Sequence, residues 1–216
     1  MDYKRAVLIH DRILWQENEN GAVTERSVDV LVRSGNSTIL LIIVGQGGSI
    51  DGYQDKYKII SEQIYNRYGA TVVIASNPNT SWTHFGDSFK QTVQYVQNKT
   101  ERLFADDYEI YVFGNSAGAT FAACYAYEYA KITKLLLVNP PLNVNLHKFQ
   151  NGLSKFNGKI ATIVFGTADP SAKYSSLLEK ARSEIVDLIF VENADHCFSG
   201  LSDTFIILPN KYLFKE

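Results

Sequence analysis

Apolar and polar positions alternate with two periods along this chain. Thr38 to Val44 is a continuous apolar run, the pattern of a strand buried on both faces. Gln54 to Arg67 carries apolar residues at Tyr57, Ile60 and Ile64, with Tyr68 next in step, which is helical spacing. Thr71 to Ala75 returns to strand character. Phe85 to Leu103 predicts a helix with Phe89, Val93, Val96 and Leu103 on its inner side. Strands are predicted at Glu109 to Phe113, Leu135 to Val138, Lys159 to Phe165 and Asp187 to Val191, and helices at Ala117 to Ala130 and Ala172 to Ser183. At the start, residues 5–15 and 22–33 read as two strands joined by the polar turn Glu17-Asn18-Glu19-Asn20-Gly21. From Phe198 onward a short helix or turn and a last apolar segment are expected.

Strands alternating with helices imply an α/β class: a mostly parallel sheet with helices on both faces and right-handed crossovers. The opening hairpin adds an antiparallel N-terminal edge. In open α/β sheets, sites form beyond the carboxyl ends of the strands, so chemistry is sought in the residues just after each strand. Between Val138 and Lys159 about twenty residues intervene, several of them polar. They read as a loop with at most one helical turn.

The chain has 216 residues, a length most simply read as one domain over residues 1–216. With 45% hydrophobic and 20% charged residues it has an ordinary globular composition and material for a large core. A net charge of −2 gives no electrostatic case for nucleic acid or an anionic membrane as partner. Two cysteines, Cys124 and Cys197, make no disulfide framework. Cys124, among alanines, reads as a small core residue. The short apolar run Ala6 to Ile9 is broken by His10-Asp11-Arg12, so it fits neither a signal peptide nor a spanning helix, and the expected location is cytoplasmic.

Candidate chemistry starts at Gly114-Asn115-Ser116-Ala117-Gly118. The bare Gly-x-Ser-x-Gly pattern arises by chance in roughly one chain in fifteen of this composition, so its placement carries the weight. A β-branched and aromatic run precedes it and an Ala-rich run follows. A serine on such a sharp strand-to-helix turn has its hydroxyl pushed out of the backbone, and the flanking glycines admit neighbouring chain. Three further strand ends carry suggestive residues. Gly45-Gln46-Gly47-Gly48 follows Val44, Gly166-Thr167-Ala168-Asp169-Pro170 follows Phe165, and Glu192-Asn193-Ala194-Asp195-His196 follows Val191.

In chain order these supply a glycine-rich turn, a nucleophile, a carboxylate and an imidazole, and from about residue 5 to the histidine turn the chain resembles an α/β-hydrolase-fold protein. That family's order is serine, acid, histidine, and the resemblance assigns Ser116 as nucleophile, Asp169 as orienting acid and His196 as general base and then acid. The chemistry needs these types. A serine hydroxyl is a weak nucleophile without a neighbouring base. Histidine, with an ordinary pKa near 6.5, takes a proton and returns it, while a carboxylate fixes the imidazole tautomer. His10 and His84 precede the serine, and His147 precedes the acid and reads as a solvated loop residue. Asp195 adjoins His196, where neighbouring side chains point apart, and Asp187 starts its strand at the wrong end of the sheet. A Cys197 nucleophile is disfavoured on the same adjacency argument.

The resemblance places oxyanion-hole amides at Ala117 and in the turn after the third strand, on Gln46 with Gly47 as the alternative. Many relatives read His-Gly-x there, where this chain reads Val44-Gly45-Gln46. Pocket positions are expected at Gly47, Trp82, His84, Asn115 and Pro141, with His84 either a rim residue or an ordinary loop histidine. The short link after Val138 implies no cap domain. The expected function is a serine esterase acting on an ester or thioester of a small to moderate soluble acyl substrate through an acyl-serine, with no metal or organic cofactor. Amide or peptide hydrolysis and acyl transfer run on the same residues. The reading from another class is a non-catalytic binding or interaction scaffold.

Overall fold

The computed structural model describes residues 7–19, 21–78, 85–105, 107–181 and 184–215. The strands are β1 (Leu8–Glu19), β2 (Ala22–Arg33), β3 (Asn36–Ile43), β4 (Ala70–Ala75), β5 (Glu109–Asn115), β6 (Ile132–Val138), β7 (Ile160–Gly166) and β8 (Val186–Val191). The helices are α1 (Lys56–Tyr68), α2 (Phe85–Phe104), α3 (Ala117–Tyr125), α4 (Leu146–Lys155) and α5 (Ser202–Tyr212). The strands form one sheet in the order β1-β2-β4-β3-β5-β6-β7-β8. β1 and β2 form the antiparallel hairpin edge, β2 pairs antiparallel with β4, and the other neighbours run parallel.

The continuous apolar strands are explained by two cores. Ile39, Leu41 and Ile43 of β3 face one core with Phe89 and Val93 of α2, Ala119 and Ala122 of α3, and Phe149 and Leu153 of α4. The alternate residues Leu40 and Ile42, with Val44 after them, face the other core with Tyr57, Ile60 and Ile64 of α1 and Phe205 and Leu208 of α5. A strand with both faces covered has no polar face to show, so period-two alternation vanishes. The chain leaves β3 through α1 to β4 on one side, then crosses by α2 to β5 on the other. β3 and β5 therefore flank the point where the winding reverses, where a crevice opens beyond the strand ends.

Several expectations are corrected. Residues 146–155, read as loop, form the two-to-three-turn helix α4. Asn145 caps it by accepting from the Lys148 amide at 3.1 Å, and Phe149 and Leu153 bury an i,i+4 stripe. Gly152 brings α4 against α3, since a Cβ there would lie 2.0 Å from the Ala123 carbonyl oxygen. α4 is thus a covering helix of the sheet and not a lid, and His147 lies exposed on it. The helix expected at 172–183 is a 3₁₀ segment over Ala172–Ala181. It buries Leu178 while Tyr174 and Leu177 stay exposed, so little packing enforces a regular α-helix. The helix after Ser116 ends at Tyr125, with one 3₁₀ turn to Glu128. The tail is the 11-residue α5, followed by buried Leu213 and by Phe214 stacked on Tyr68. Among the described residues no helix is long and apolar enough to cross a membrane.

Candidate active site

The parallel register aligns the strand ends that matter. Asn115 pairs with Val138, Val138 with Val164, and Gly166 with Val191. The turns after β3, β5, β6, β7 and β8 therefore emerge at one edge of the sheet.

Ser116 sits between β5 and α3 with φ 53° and ψ −122°, a strained conformation for a residue with a side chain. The surroundings hold it there. Its N–H donates to the Val138 carbonyl at 2.8 Å, and its carbonyl accepts from Ala119 and Thr120 at 3.0 and 3.2 Å. The glycines on either side are required by close approach. A Cβ on Gly114 would lie 2.6 Å from Ala119 Cα, and one on Gly118 would lie 2.3 Å from the Ile43 carbonyl oxygen. Any larger residue would force α3 away from β5 or β3.

His196 Nε2 lies 2.9 Å from Ser116 Oγ, and His196 Nδ1 hydrogen-bonds Asp169 Oδ2. The Asp169 side chain has no exposed surface, whereas the imidazole is 42% exposed. Asp169 Oδ1 accepts from the Ser171 amide at 2.6 Å, which fixes the carboxylate plane. The three residues drawn from separate strand ends thus form one hydrogen-bonded line. Asp195 faces its own turn: its Oδ1 accepts from the Ser199 and Cys197 amides at 2.8 and 3.0 Å. Those bonds, the Ser199 amide foremost, hold its carboxyl below the usual carboxylate range.

Ala117 is buried and opens α3, so its amide has no intrahelical acceptor and lies at the positive end of the helix. Gly45 adjoins the serine; a Cβ there would stand 3.1 Å from Ser116 Cβ. Gln46 and Gly47 are exposed on the turn that follows, closed by Gly48 N–H to the Gly45 carbonyl at 3.0 Å. Gly47 has φ +69°, the left-handed conformation glycine supplies. Asn77, two residues beyond β4, braces both ends of this turn. Its amide Nδ2 donates to the Val44 carbonyl at 3.1 Å and its backbone N–H to the Gly48 carbonyl at 3.0 Å.

Of the expected pocket positions, Asn115 is nearly buried, and its amide donates to the Tyr57 hydroxyl at 3.1 Å on the α1 side. It braces the nucleophile from behind. Burial pushes that Tyr57 hydroxyl above its ordinary pKa, so it stays neutral. Pro141 is half-buried, and Trp82 and His84 lie outside the described residues. Cys124 is buried in α3, and burial pushes its thiol up to about 12; Cys197 is exposed. Among the described residues no group of three or more His, Cys, Asp or Glu side chains is placed to hold a metal ion.

Sequence reasoning missed two asparagines, Asn77 and Asn139. Each follows a strand by one or two residues and is fully or nearly buried. The only local signal is a polar residue at the carboxyl end of an apolar strand, with a proline after it.

A doubly covered parallel sheet with a serine on its central strand-to-helix turn, an acid after the seventh strand and a histidine after the eighth has the α/β-hydrolase fold. Solved structures agree across nearly the whole chain. Dienelactone hydrolase from Anabaena variabilis superposes with a TM-score of 0.70 at 14% identity, covering 94% of this chain and 98% of that one. Est1E from Butyrivibrio proteoclasticus gives 0.66 at 12% identity, covering 94% and 99%. An esterase from Pyrobaculum calidifontis gives 0.61 at 18% identity, covering 93% and 80%. No family model and no curated protein matches the sequence.

Proposed function

We propose that this protein is a serine hydrolase that cleaves an ester or thioester of a small to moderate, soluble acyl substrate. The observation that carries this reading is the line Ser116 Oγ–His196 Nε2, His196 Nδ1–Asp169, built on a strained elbow at the crevice of the sheet. Similar folds that are esterases support an ester substrate.

In this reading Ser116 Oγ attacks the acyl carbon while His196 Nε2 takes its proton. The negative charge on the carbonyl oxygen is met by the amides of Ala117 and Gln46. Collapse breaks the bond to the leaving oxygen or sulfur, which receives the proton from Nε2. Water, deprotonated by the same nitrogen, then attacks the acyl-serine and releases the carboxylic acid and Ser116. Asp169, fully buried, stabilises the imidazolium and keeps Nδ1 protonated. The leaving group must lie on the histidine side, because Nε2 protonates it. A cavity of about 550 Å³ lined by Tyr53, Gln54, Cys197, Ser199 and Asp203 lies next to the histidine loop, with neither Ser116 nor His196 in its lining.

Intact mass spectrometry after fluorophosphonate treatment tests the chemistry. One adduct is expected on the protein and none on Ser116→Ala. An unlabelled protein supports the non-catalytic scaffold instead. Efficiency on p-nitrophenyl esters should peak at short acyl chains, because each methylene is worth about 0.8 kcal/mol only where it is buried. A steady rise to long chains would reveal an apolar groove and overturn the small-acyl assignment.

A further inference from the structure

Asn139 stands where β6, the turn carrying Asp169 and the loop carrying His196 meet. It is fully buried, and its φ of +46° swings the chain out of the sheet immediately after β6. Its backbone N–H still donates to the Val164 carbonyl at 2.8 Å, so its position is tied to β7. All of its side-chain bonding goes to the backbones of those two loops. Oδ1 accepts from the Gly166 N–H at 2.8 Å, and Nδ2 donates to the Asp195 carbonyl at 3.1 Å and the His196 carbonyl at 3.2 Å. A primary amide has two N–H donors, and here they reach two successive carbonyls.

The histidine loop is otherwise closed largely upon itself. Asp195 accepts from Cys197, Ser199 and Phe198 within the same turn. Apart from the Asp169 carboxylate on the imidazole, the bonds from the acid turn to this loop's backbone stop short of the histidine: Thr167 N–H goes to the Val191 carbonyl, Ala168 N–H to the Ala194 carbonyl, and the Thr167 hydroxyl accepts from the Asn193 N–H. Phe198, buried in the α1–α5 core, anchors the far side. Asn139 ties the self-contained turn at 195–199 back to the sheet at the histidine itself.

We propose that Asn139 is a positioning residue that sets the imidazole of His196 against Ser116 and Asp169; this rests on the hydrolase reading of the site. One amide serves both halves of the constellation, because the Gly166 it holds is the base of the turn that presents Asp169. A shift of the histidine loop by a fraction of an ångström degrades proton transfer from Ser116 without touching the substrate. The effect therefore falls on kcat, with KM little changed. Misplacement on the order of 1 Å costs roughly 100-fold in rate, so the expected loss is about 30- to 100-fold.

The test separates the side chain from the backbone turn. Glycine accepts the left-handed φ that alanine resists, so Asn139→Gly removes the amide while sparing the turn. Asn139→Asp keeps shape and φ tolerance but loses both donors and sets a carboxylate oxygen against two carbonyls. Both variants are expected to lose kcat by a similar factor, with KM within about threefold of wild type. The far-downfield proton resonance of the His196 Nδ1–H···Asp169 bond is expected to weaken or move in Asn139→Gly. Melting curves identify a variant that has lost its fold, and Asn139→Gly is the variant expected to keep it. A glycine variant with wild-type kcat and an unchanged resonance would overturn the proposal, leaving Asn139 as a turn residue only. Failure of the underlying reading looks different. The wild-type protein then takes no fluorophosphonate, while the resonance still reports whether Asn139 holds His196.

Discussion

Replacing Asp169 by asparagine is the sharpest probe of the site, because the side chain has two defined partners and no contact with solvent. One carboxylate oxygen accepts from His196 Nδ1 and the other from the Ser171 amide at 2.6 Å. Asparagine offers one acceptor in place of two. If its oxygen stays with Ser171, its NH₂ faces Nδ1 and favours the tautomer protonated on Nε2. That nitrogen, 2.9 Å from Ser116 Oγ, is then unable to take the serine proton. Wrong-tautomer variants of such enzymes lose about 10³–10⁴ in turnover, which at 1.36 kcal/mol per decade is about 4–5.5 kcal/mol of barrier. Asp195→Asn provides the contrast. Its oxygen still accepts from Cys197 and Ser199, so turnover should stay within about threefold of wild type. The assay is steady-state hydrolysis of a p-nitrophenyl ester by both variants, with circular dichroism to establish that each is folded. A loss below tenfold in Asp169→Asn, or a larger loss in Asp195→Asn, would refute the assignment of Asp169 as the orienting acid.

Two other substitutions test the packing and the charge network. Gly118→Ala puts a Cβ 2.3 Å from the Ile43 carbonyl oxygen and 2.7 Å from that of Val44, so α3 and β3 must separate. Overpacking of this kind costs about 1–3 kcal/mol in urea denaturation, and turnover should drop at least about tenfold because both proposed oxyanion amides ride on the displaced segments; full activity would mean the elbow does not depend on this contact. The Asp11 carboxylate accepts from Lys99 Nζ and Tyr95 Oη, bonds that lower its pKa from 3.8 to about 2. A depressed folded-state pKa contributes stability above the unfolded value and loses it as pH falls through the folded one. With this side chain 38% exposed, screening limits the contribution to about 1 kcal/mol. Asp11→Asn should therefore be less stable than wild type at pH 7, with the gap closing between about pH 4 and pH 2; a gap that widened on acidification would reverse the sign of the argument.

Sequence alone determined what depends on neighbours along the chain. The apolar runs at 38–44, 71–75, 109–113 and 159–165 marked strands, because burial on both faces leaves few polar positions in them. Gly114 to Gly118 marked the elbow, because only glycine fits where α3 meets β5 and β3. The residues after Phe165 and Val191 marked Asp169 and His196 as candidates, because parallel strands deliver their following turns to one edge. Tertiary structure decided what depends on distant segments. The insertion of β4 between β2 and β3 is a pairing of non-adjacent strands, which no local pattern encodes. α4 escaped notice because its stripe of Phe149 and Leu153 is thin, and it is stabilised by docking Gly152 onto Ala123. Asn77 and Asn139 look like ordinary loop polars in the sequence. Their meaning lies in hydrogen bonds to backbone 33 and 27 to 57 residues away, formed only once the sheet has brought the turns together.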